Sequence, residues 1–205
     1  NAMSLQMVAE LRAMLAAVRD DRSVRALVLS GAGGHFCAGG DIKDMAAARM
    51  KLADNPNAVA EVNAAFGDLC VAYAGTGLAV VAVVEGTVMG GGFGLACVAD
   101  VTLADETVVF RLPETGLGLV PAQVAPFLVE RLGYAEAKRL AVTGARVDAS
   151  EALRLRLVHQ VQADGEALDW ALQRVLADIL HGAPGALAAT KHLIAKARLH
   201  SPASL

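Results

Sequence analysis

The sequence predicts an α/β fold, and three features carry that prediction. The β-branched run Ala79–Val84 is followed by three successive glycines at 90–92 and then by a small-residue segment, 93–99, that reads as a helix. The same order of strand, glycine turn and helix occurs earlier, where Ala26–Leu29 gives way to glycine-rich turns and a helical stretch over 42–51. From about residue 135 the pattern is mostly helical. No Pro/Ser-rich linker and no fixed-period repeat divides the 205 residues, so a single domain over 1–205 is expected.

In chain order, Ser4 is placed to cap a first helix in which Leu5, Val8, Leu11, Leu15 and Val18 share one face. Asp20-Asp21-Arg22 ends it. The strand Ala26–Leu29 is closed by Gly31-Ala32-Gly33-Gly34, and a second glycine-rich elbow, His35 to Asp41, leads into the helix from Ile42 to about Lys51. Asn55-Pro56-Asn57 interrupts the helical pattern, which resumes over 58–74. After the central strand, turn and helix come short strands at 101–103 and 108–112, broken at Asp105-Glu106. Pro113-Glu114 opens a loop containing Gly116 and Gly118. Pro121 begins a helix carrying Val124, Phe127, Leu128 and Leu132 and ending at Gly133. Helices follow at 135–142 and 150–155, the latter capped by Ser150 or Asp148, then a strand at 157–161 and helices at 168–180 and 183–199.

Composition excludes several functions. The chain is 55% hydrophobic and 4% aromatic with a net charge of −3, which fits a large aliphatic core. No window of 18 or more apolar residues is free of charge, so no membrane span is expected. The 18 Lys and Arg are outnumbered by 21 acids and scattered, which argues against nucleic acid. Cys37, Cys70 and Cys97 form no CxxC pair, pointing to a reducing compartment and away from a metal site. The opening NAMSLQM lacks the basic head and apolar run of a signal peptide, so a cytoplasmic location is expected.

Glycines at 90–92 let another group approach the main chain closely, and the unpaired N–H groups of the helix start carry the positive end of its dipole. Either a small anion-stabilising pocket or a tight crossing of two backbones results. A dinucleotide fingerprint fails at both elbows, because its third glycine falls on Phe36 or on Leu95. A phosphate-binding loop fails because Gly40-Asp41 stands where Lys-Ser or Lys-Thr is needed. Cys37 lies close to His35 in sequence, yet no third activating group accompanies them, so a small buried thiol is the expectation. What remains is two backbone elbows and one conspicuous acid, Glu114. Two N–H groups from separate turns can stabilise a developing enolate oxygen, and a nearby carboxylate can move a proton on the adjacent carbon. That arrangement suits thioester chemistry.

Four ordered segments, HFCAGGDIKDM from His35, EGTVMGGGFGLACVAD from Glu85, FRLPETGLGLVP from Phe110 and LAVTGARVDASEAL from Leu140, resemble the enoyl-CoA hydratase/isomerase, or crotonase, superfamily. The resemblance implies a crotonase-like spiral of repeated ββα units with C-terminal helices, assembled as a homotrimer or a pair of trimers. It implies an acyl-CoA thioester as substrate, with coenzyme A part of that substrate and no separate cofactor. It places the oxyanion donors on the backbone N–H groups of Ala38 and Gly91 and the acid/base on Glu114. Residues 38–42, including Gly39, Gly40, Asp41 and Ile42, would follow the CoA, and Phe36, Gly90, Gly94, Leu117, Pro121 and Gln123 complete the expected substrate-binding set.

Two departures matter. Hydratases of this family hold water between two glutamates, and the position of the first is Gly94 here; Glu85 does not replace it and is expected to make a structural hydrogen bond. Arg156 stands where the family usually has glycine. NAMSLQM resembles an internal family segment and the chain stops short of the usual last helix, so a partial record of a longer protein is expected. With Gly94 leaving space, the pocket is expected to admit a bulkier acyl group. GLVPAQVAPF, from Gly118, is similar to hydratases of branched, carboxylated enoyl-CoAs, where Gln123 or a substrate carboxylate would position water. Hydration is therefore the leading expectation, Δ3–Δ2 isomerisation by one glutamate the second, and non-catalytic acyl-CoA binding the third.

Overall fold

The structure, a computed structural model, describes residues 1–197. Its elements are α1 (Leu5–Val18), β1 (Ala26–Leu29), α2 (Ile42–Met50), α3 (Ala58–Gly75), β2 (Ala79–Val84), β3 (Thr87–Met89), α4 (Gly91–Val98), β4 (Val101–Asp105) and β5 (Val109–Arg111). A 3-10 turn at Glu114–Leu117 follows, then α5 (Ala125–Thr143), β6 (Arg146–Asp148), α6 (Ala149–Arg154), β7 (Gln160–Gln162), α7 (Gly165–His181) and α8 (Pro184–Ala197).

Two sheets organise these elements. The first is parallel, in the order β1-β2-β4-β7. Every residue of β2 is buried, which explains its uninterrupted apolar run: a central parallel strand is covered on both faces. Its alternate side chains go to opposite faces, Val80, Ala82 and Val84 into the main core and Val81 and Val83 into a second cluster with Leu103, Leu168 and Ala171 beneath α7. The second sheet is β3-β5-β6, with β3 parallel and β6 antiparallel to β5. A Cys37–Val88 bridge carries the first glycine elbow onto its free edge. The chain thus places a strand in the first sheet, a shorter strand or bridge in the second, and then a helix, three times over: β1, Cys37 and α2; β2, β3 and α4; β4, β5 and α5. This is the repeated ββα plan of the crotonase fold.

Several boundaries differ from expectation for identifiable reasons. The central strand does not run directly into the glycine turn; Gly86, at φ 52°, turns the chain into β3, whose three residues are too few to show a period. Strand β6 is equally short. Ser4 caps α1, its Oγ accepting from the Met7 N–H, while Asp148 rather than Ser150 caps α6. Pro121 opens a turn and α5 itself starts at Ala125; Gly133 (φ 75°, ψ 161°) is a break between two helical pieces rather than a final residue. Leu157 and Val158 are core residues of a turn, so the strand begins only at Gln160. Arg156 sits at φ 57°, the left-handed region that favours glycine, which accounts for the departure there as a tolerated strain of about 1 kcal/mol. Residues 198–199 of the expected last helix lie outside the described residues. No helix among the described residues is long and apolar enough to cross a membrane.

Candidate active site

Helix α4 is the axis of the site. At its start Gly90 holds φ 51° and ψ −117°, and its N–H donates to the Arg111 carbonyl at 3.1 Å, so β5 fixes the turn. The N–H of Gly91, first residue of the helix, has no helical acceptor and no cap side chain. At the far end the Arg131 guanidinium donates to the carbonyls of Cys97, at 3.0 Å, and Ala99. A cation on the carbonyl end of a helix reinforces the dipole whose positive end lies at Gly91. Arg131 also lies beside His159, whose Nδ1 accepts from the Thr102 N–H; burial, aided by the Arg131 charge, pushes the His159 pKa down. Nothing local in the sequence marks Arg131 for this role, because its partners lie in a different unit of the fold.

The first elbow approaches α4 from the other side. The Cys37 carbonyl accepts from the Met89 N–H at 2.9 Å, so the Ala38 N–H of the same peptide points the opposite way, where it donates to the Asn1 carbonyl at 3.1 Å. One turn of peptides later the pattern reverses. The Gly39 carbonyl accepts from the Met3 N–H at 2.7 Å, so the Gly40 N–H of that trans peptide faces away from Met3. The expectation for Ala38 therefore fails on geometry: its amide is engaged with the chain's own first residue. The Gly40 N–H, by contrast, is turned away from residues 1–3. Gly39, at φ 96°, lies against the Met89 carbonyl, and its Cα is 3.7 Å from where a Gly90 Cβ would stand.

Glu114 comes to the same place. Pro113 precedes it, and the Glu114 carbonyl accepts from the Leu119 N–H at 2.9 Å, closing the 3-10 turn. Thr115 Oγ1 and the Ala141 carbonyl, 3.4 Å apart, tie this turn to α5. A Cβ at Gly90 would lie 2.8 Å from Glu114 Oε1, so that glycine is what lets the carboxyl reach the α4 start. The other oxygen, Oε2, is buried without a hydrogen-bond partner. Burial pushes the carboxyl pKa above its usual range, only partly opposed by the residue's own backbone N–H. A partly buried carboxyl with one unpartnered oxygen beside the positive end of a helix is a candidate for proton transfer.

The remaining expected residues divide. Asp41 caps α2, its Oδ1 accepting from the Lys43 N–H at 2.7 Å, and Ile42 is 83% exposed at the helix start, open to a ligand running along the elbow. Leu117 is exposed beyond Glu114, and Pro121 accepts from the Val124 and Ala125 N–H groups. Phe36 departs from expectation: its ring is buried in the core. Gly94 departs further, because no space is left there. A Cβ at Gly94 would stand 2.9 Å from Val124 Cβ and closer still to its Cγ1, and Val124 is itself buried. The volume is full, so Gly94 does not admit a larger acyl group. Gln123, next to Val124, lies over Gly67 of α3. Phe66 of the same helix faces Gly91, its ring edge 3.2 Å from a Cβ placed there. Glu85 contributes its backbone carbonyl, which accepts from the Phe36 N–H. The Cys37 thiol is buried and pushed up in pKa by that burial, unlike a nucleophile, and Cys70 and Cys97 are pushed up to about 12.

Comparison with known proteins fits this geometry. A sequence model of the enoyl-CoA hydratase/isomerase family matches residues 1–204. Among solved structures, AtuE of Pseudomonas aeruginosa is 56% identical with a TM-score of 0.93, covering 98% of this chain and 76% of its own. An enoyl-CoA hydratase/isomerase from Marinobacter aquaeolei is 48% identical with a TM-score of 0.94, covering 100% of this chain and 78% of its own. The enoyl-CoA hydratase ACTT6 of Alternaria alternata is 33% identical over 198 residues, 97% of this chain but 63% of that protein, so the chain spans less than two thirds of that curated relative. The chain belongs to the enoyl-CoA hydratase/isomerase family.

Proposed function

We propose that the whole protein hydrates a 2-enoyl-CoA, holding the thioester oxygen on the N–H groups of Gly40 and Gly91 and moving the proton with Glu114. The observation that carries this reading is the Glu114 carboxyl, one oxygen set against the glycine turn at the α4 start and the other buried without a partner. Negative charge developing on a thioester oxygen would meet two backbone donors and the positive end of α4, while Glu114 reaches the neighbouring carbon. Burial shifts the carboxyl pKa upward, the direction that favours a proton donor.

The acyl group is proposed as branched or carboxylated on the likeness of the Gly118-to-Phe127 segment to such hydratases, no longer on space at Gly94. Assembly as a homotrimer or a pair of trimers belongs to the same proposal. Δ3–Δ2 isomerisation is the second reading, favoured by Val124 filling the position of the other acid, since one carboxyl suffices to carry a proton between carbons. Assay of full-length protein on panels of 2-enoyl- and 3-enoyl-CoAs, with Glu114→Gln in parallel, tests both. Water addition lost in Glu114→Gln supports hydration, double-bond migration alone supports the isomerase, and CoA-ester binding with no turnover across the panel removes both.

A further inference from the structure

Helix α4 has eight residues, so its two ends are about 12 Å apart. The chain leaves it at Ala99 in extended conformation, without a glycine cap, and the last carbonyls are held by side chains from elsewhere. Thr102 Oγ1, in β4, donates to the Ala96 carbonyl at 3.2 Å, and Arg131, in α5, donates to those of Cys97 and Ala99. Both of these residues touch a third, His159, just ahead of β7. The His159 N–H donates to the Thr102 carbonyl at 2.8 Å, the Thr102 N–H donates to His159 Nδ1 at 2.9 Å, and His159 Nε2 lies 3.4 Å from Arg131 Nη1. No step of the proposed chemistry uses this histidine.

These contacts require the ring to be neutral. A backbone N–H can only donate, so Nδ1 carries no proton and the neutral ring holds its one proton on Nε2. A guanidinium offers donors alone, so the approach of Nε2 to Arg131 is a juxtaposition rather than a hydrogen bond, tolerable while the ring is uncharged. Protonation would fill Nδ1, strand the Thr102 N–H and set a second positive charge beside the guanidinium. Burial and the Arg131 charge both press the His159 pKa down, the direction these contacts demand. Around the ring, β4 presents the uncharged Thr102, and α7 packs on the sheet through apolar residues such as Leu168 and Val175. Glu151 of α6 is engaged with Arg139 and Arg154, and Asp100, which follows α4, with Lys191. Among the described residues, the charge facing the ring is that of Arg131.

We propose that neutral His159 is a positioning residue for the oxyanion turn, holding Thr102 and Arg131 on the carbonyl end of α4 and, through that helix, fixing the Gly91 N–H. The inference rests on the reading of Gly91 as a donor to the thioester oxygen. Residues 92–98 are all buried, so α4 is carried by its neighbours as one packed unit, and a shift at Cys97 moves Gly91 with it. A charged His159 releases both holds at once. Withdrawing the guanidinium from that end also weakens the positive potential at Gly91.

Full-length protein is assayed on a 2-enoyl- or 3-enoyl-CoA that the wild type accepts, with kcat followed against pH and thioester affinity measured by calorimetry. His159→Ala should lose about 10-fold in kcat at neutral pH, the scale of a misplacement by a fraction of an ångström, with affinity unchanged. His159→Asn keeps an acceptor for the Thr102 N–H but cannot titrate. Wild-type kcat should therefore fall on acidification through an ionisation below the ordinary histidine value that His159→Asn lacks, while the Glu114 ionisation stays in both. That comparison decides the matter even where His159→Ala fails to fold. Identical pH profiles in wild type and His159→Asn, full kcat in a folded His159→Ala, or a loss shared equally between kcat and affinity overturns the inference. Wild-type kcat in Gly91→Val, or no wild-type turnover of any of these thioesters, removes the donor reading and this inference with it. A kcat that depends on Gly91 but not on His159 refutes this inference alone.

Discussion

Replacing Gly94 by alanine should destabilise the protein, although helix propensity alone predicts the reverse. Alanine gains about 1 kcal/mol over glycine in a helix interior. Against this, the new Cβ would stand 2.9 Å from Val124 Cβ and nearer to Cγ1, where ordinary contact begins near 3.4 Å, inside a buried cluster with no free side to yield. Overpacking of this kind costs about 1–3 kcal/mol, so a net loss of up to about 2 kcal/mol is expected after the propensity gain. For a chain of this length each kcal/mol moves Tm by about 2–4 °C. Val124→Gly supplies the control. Val124 is the N-cap of α5, a position that tolerates glycine better than valine, so the variant loses its packing but little capping. The double variant should then be less damaged than the sum of the two, with a coupling of about 0.5–3 kcal/mol. Chemical denaturation of the four proteins measures it. Gly94→Ala as stable as wild type, or strictly additive effects, would refute the packing argument and reopen the position to an acyl group.

Other outcomes follow from the same geometry. Glu114→Gln should lower turnover by about 10²–10⁴-fold while leaving the fold somewhat more stable at neutral pH, since it removes a partly buried charge whose Oε2 lacks a partner. The sign is fixed by the raised pKa: the native state holds the Glu114 proton longer than the unfolded chain does. Wild-type stability therefore falls as pH rises from the unfolded value through the folded one, and the gain in Glu114→Gln should vanish below about pH 4; urea titrations across pH read this directly. Gly91→Val should cost about 10²-fold in kcat, because its side chain meets the Phe66 ring at the oxyanion turn, with CoA binding read separately by calorimetry. All three cysteines should resist thiol reagents until the protein unfolds, in keeping with their burial.

Much of this was readable in the sequence because its causes are local. Glycine runs after β-branched runs mark strand-to-helix turns, Ser4 and the Pro121 region mark helix starts, and Pro113-Glu114 marks a fixed acid. What could not be read depends on partners distant in the chain. Which amides of the first elbow are free of the chain's own carbonyls is decided by the alternation of peptide planes between β3 on one side and residues 1–3 on the other, and that alternation ties the Ala38 N–H to Asn1 while turning the Gly40 N–H away from Met3. A glycine at 94 looks like spare room until Val124 is seen to occupy it. Strands β3 and β6 have three residues each, too few for a two-residue period to declare itself, so the second sheet was invisible until its pairing with β5 was known. Arg131 reads as an ordinary charge in a helix, and only the fold brings it to the carbonyl end of α4.

The central claim is that two backbone amides and Glu114 converge on one thioester. A crystal structure of the full-length protein with an acyl-CoA whose thioester mimics the enolate tests it most directly. The account predicts the thioester oxygen within about 2.7–3.1 Å of the backbone nitrogens of both Gly40 and Gly91, the Glu114 carboxyl beside C2, and the Ala38 N–H still on the Asn1 carbonyl. A thioester oxygen bound by the Ala38 amide, or bound away from the start of α4, would contradict it.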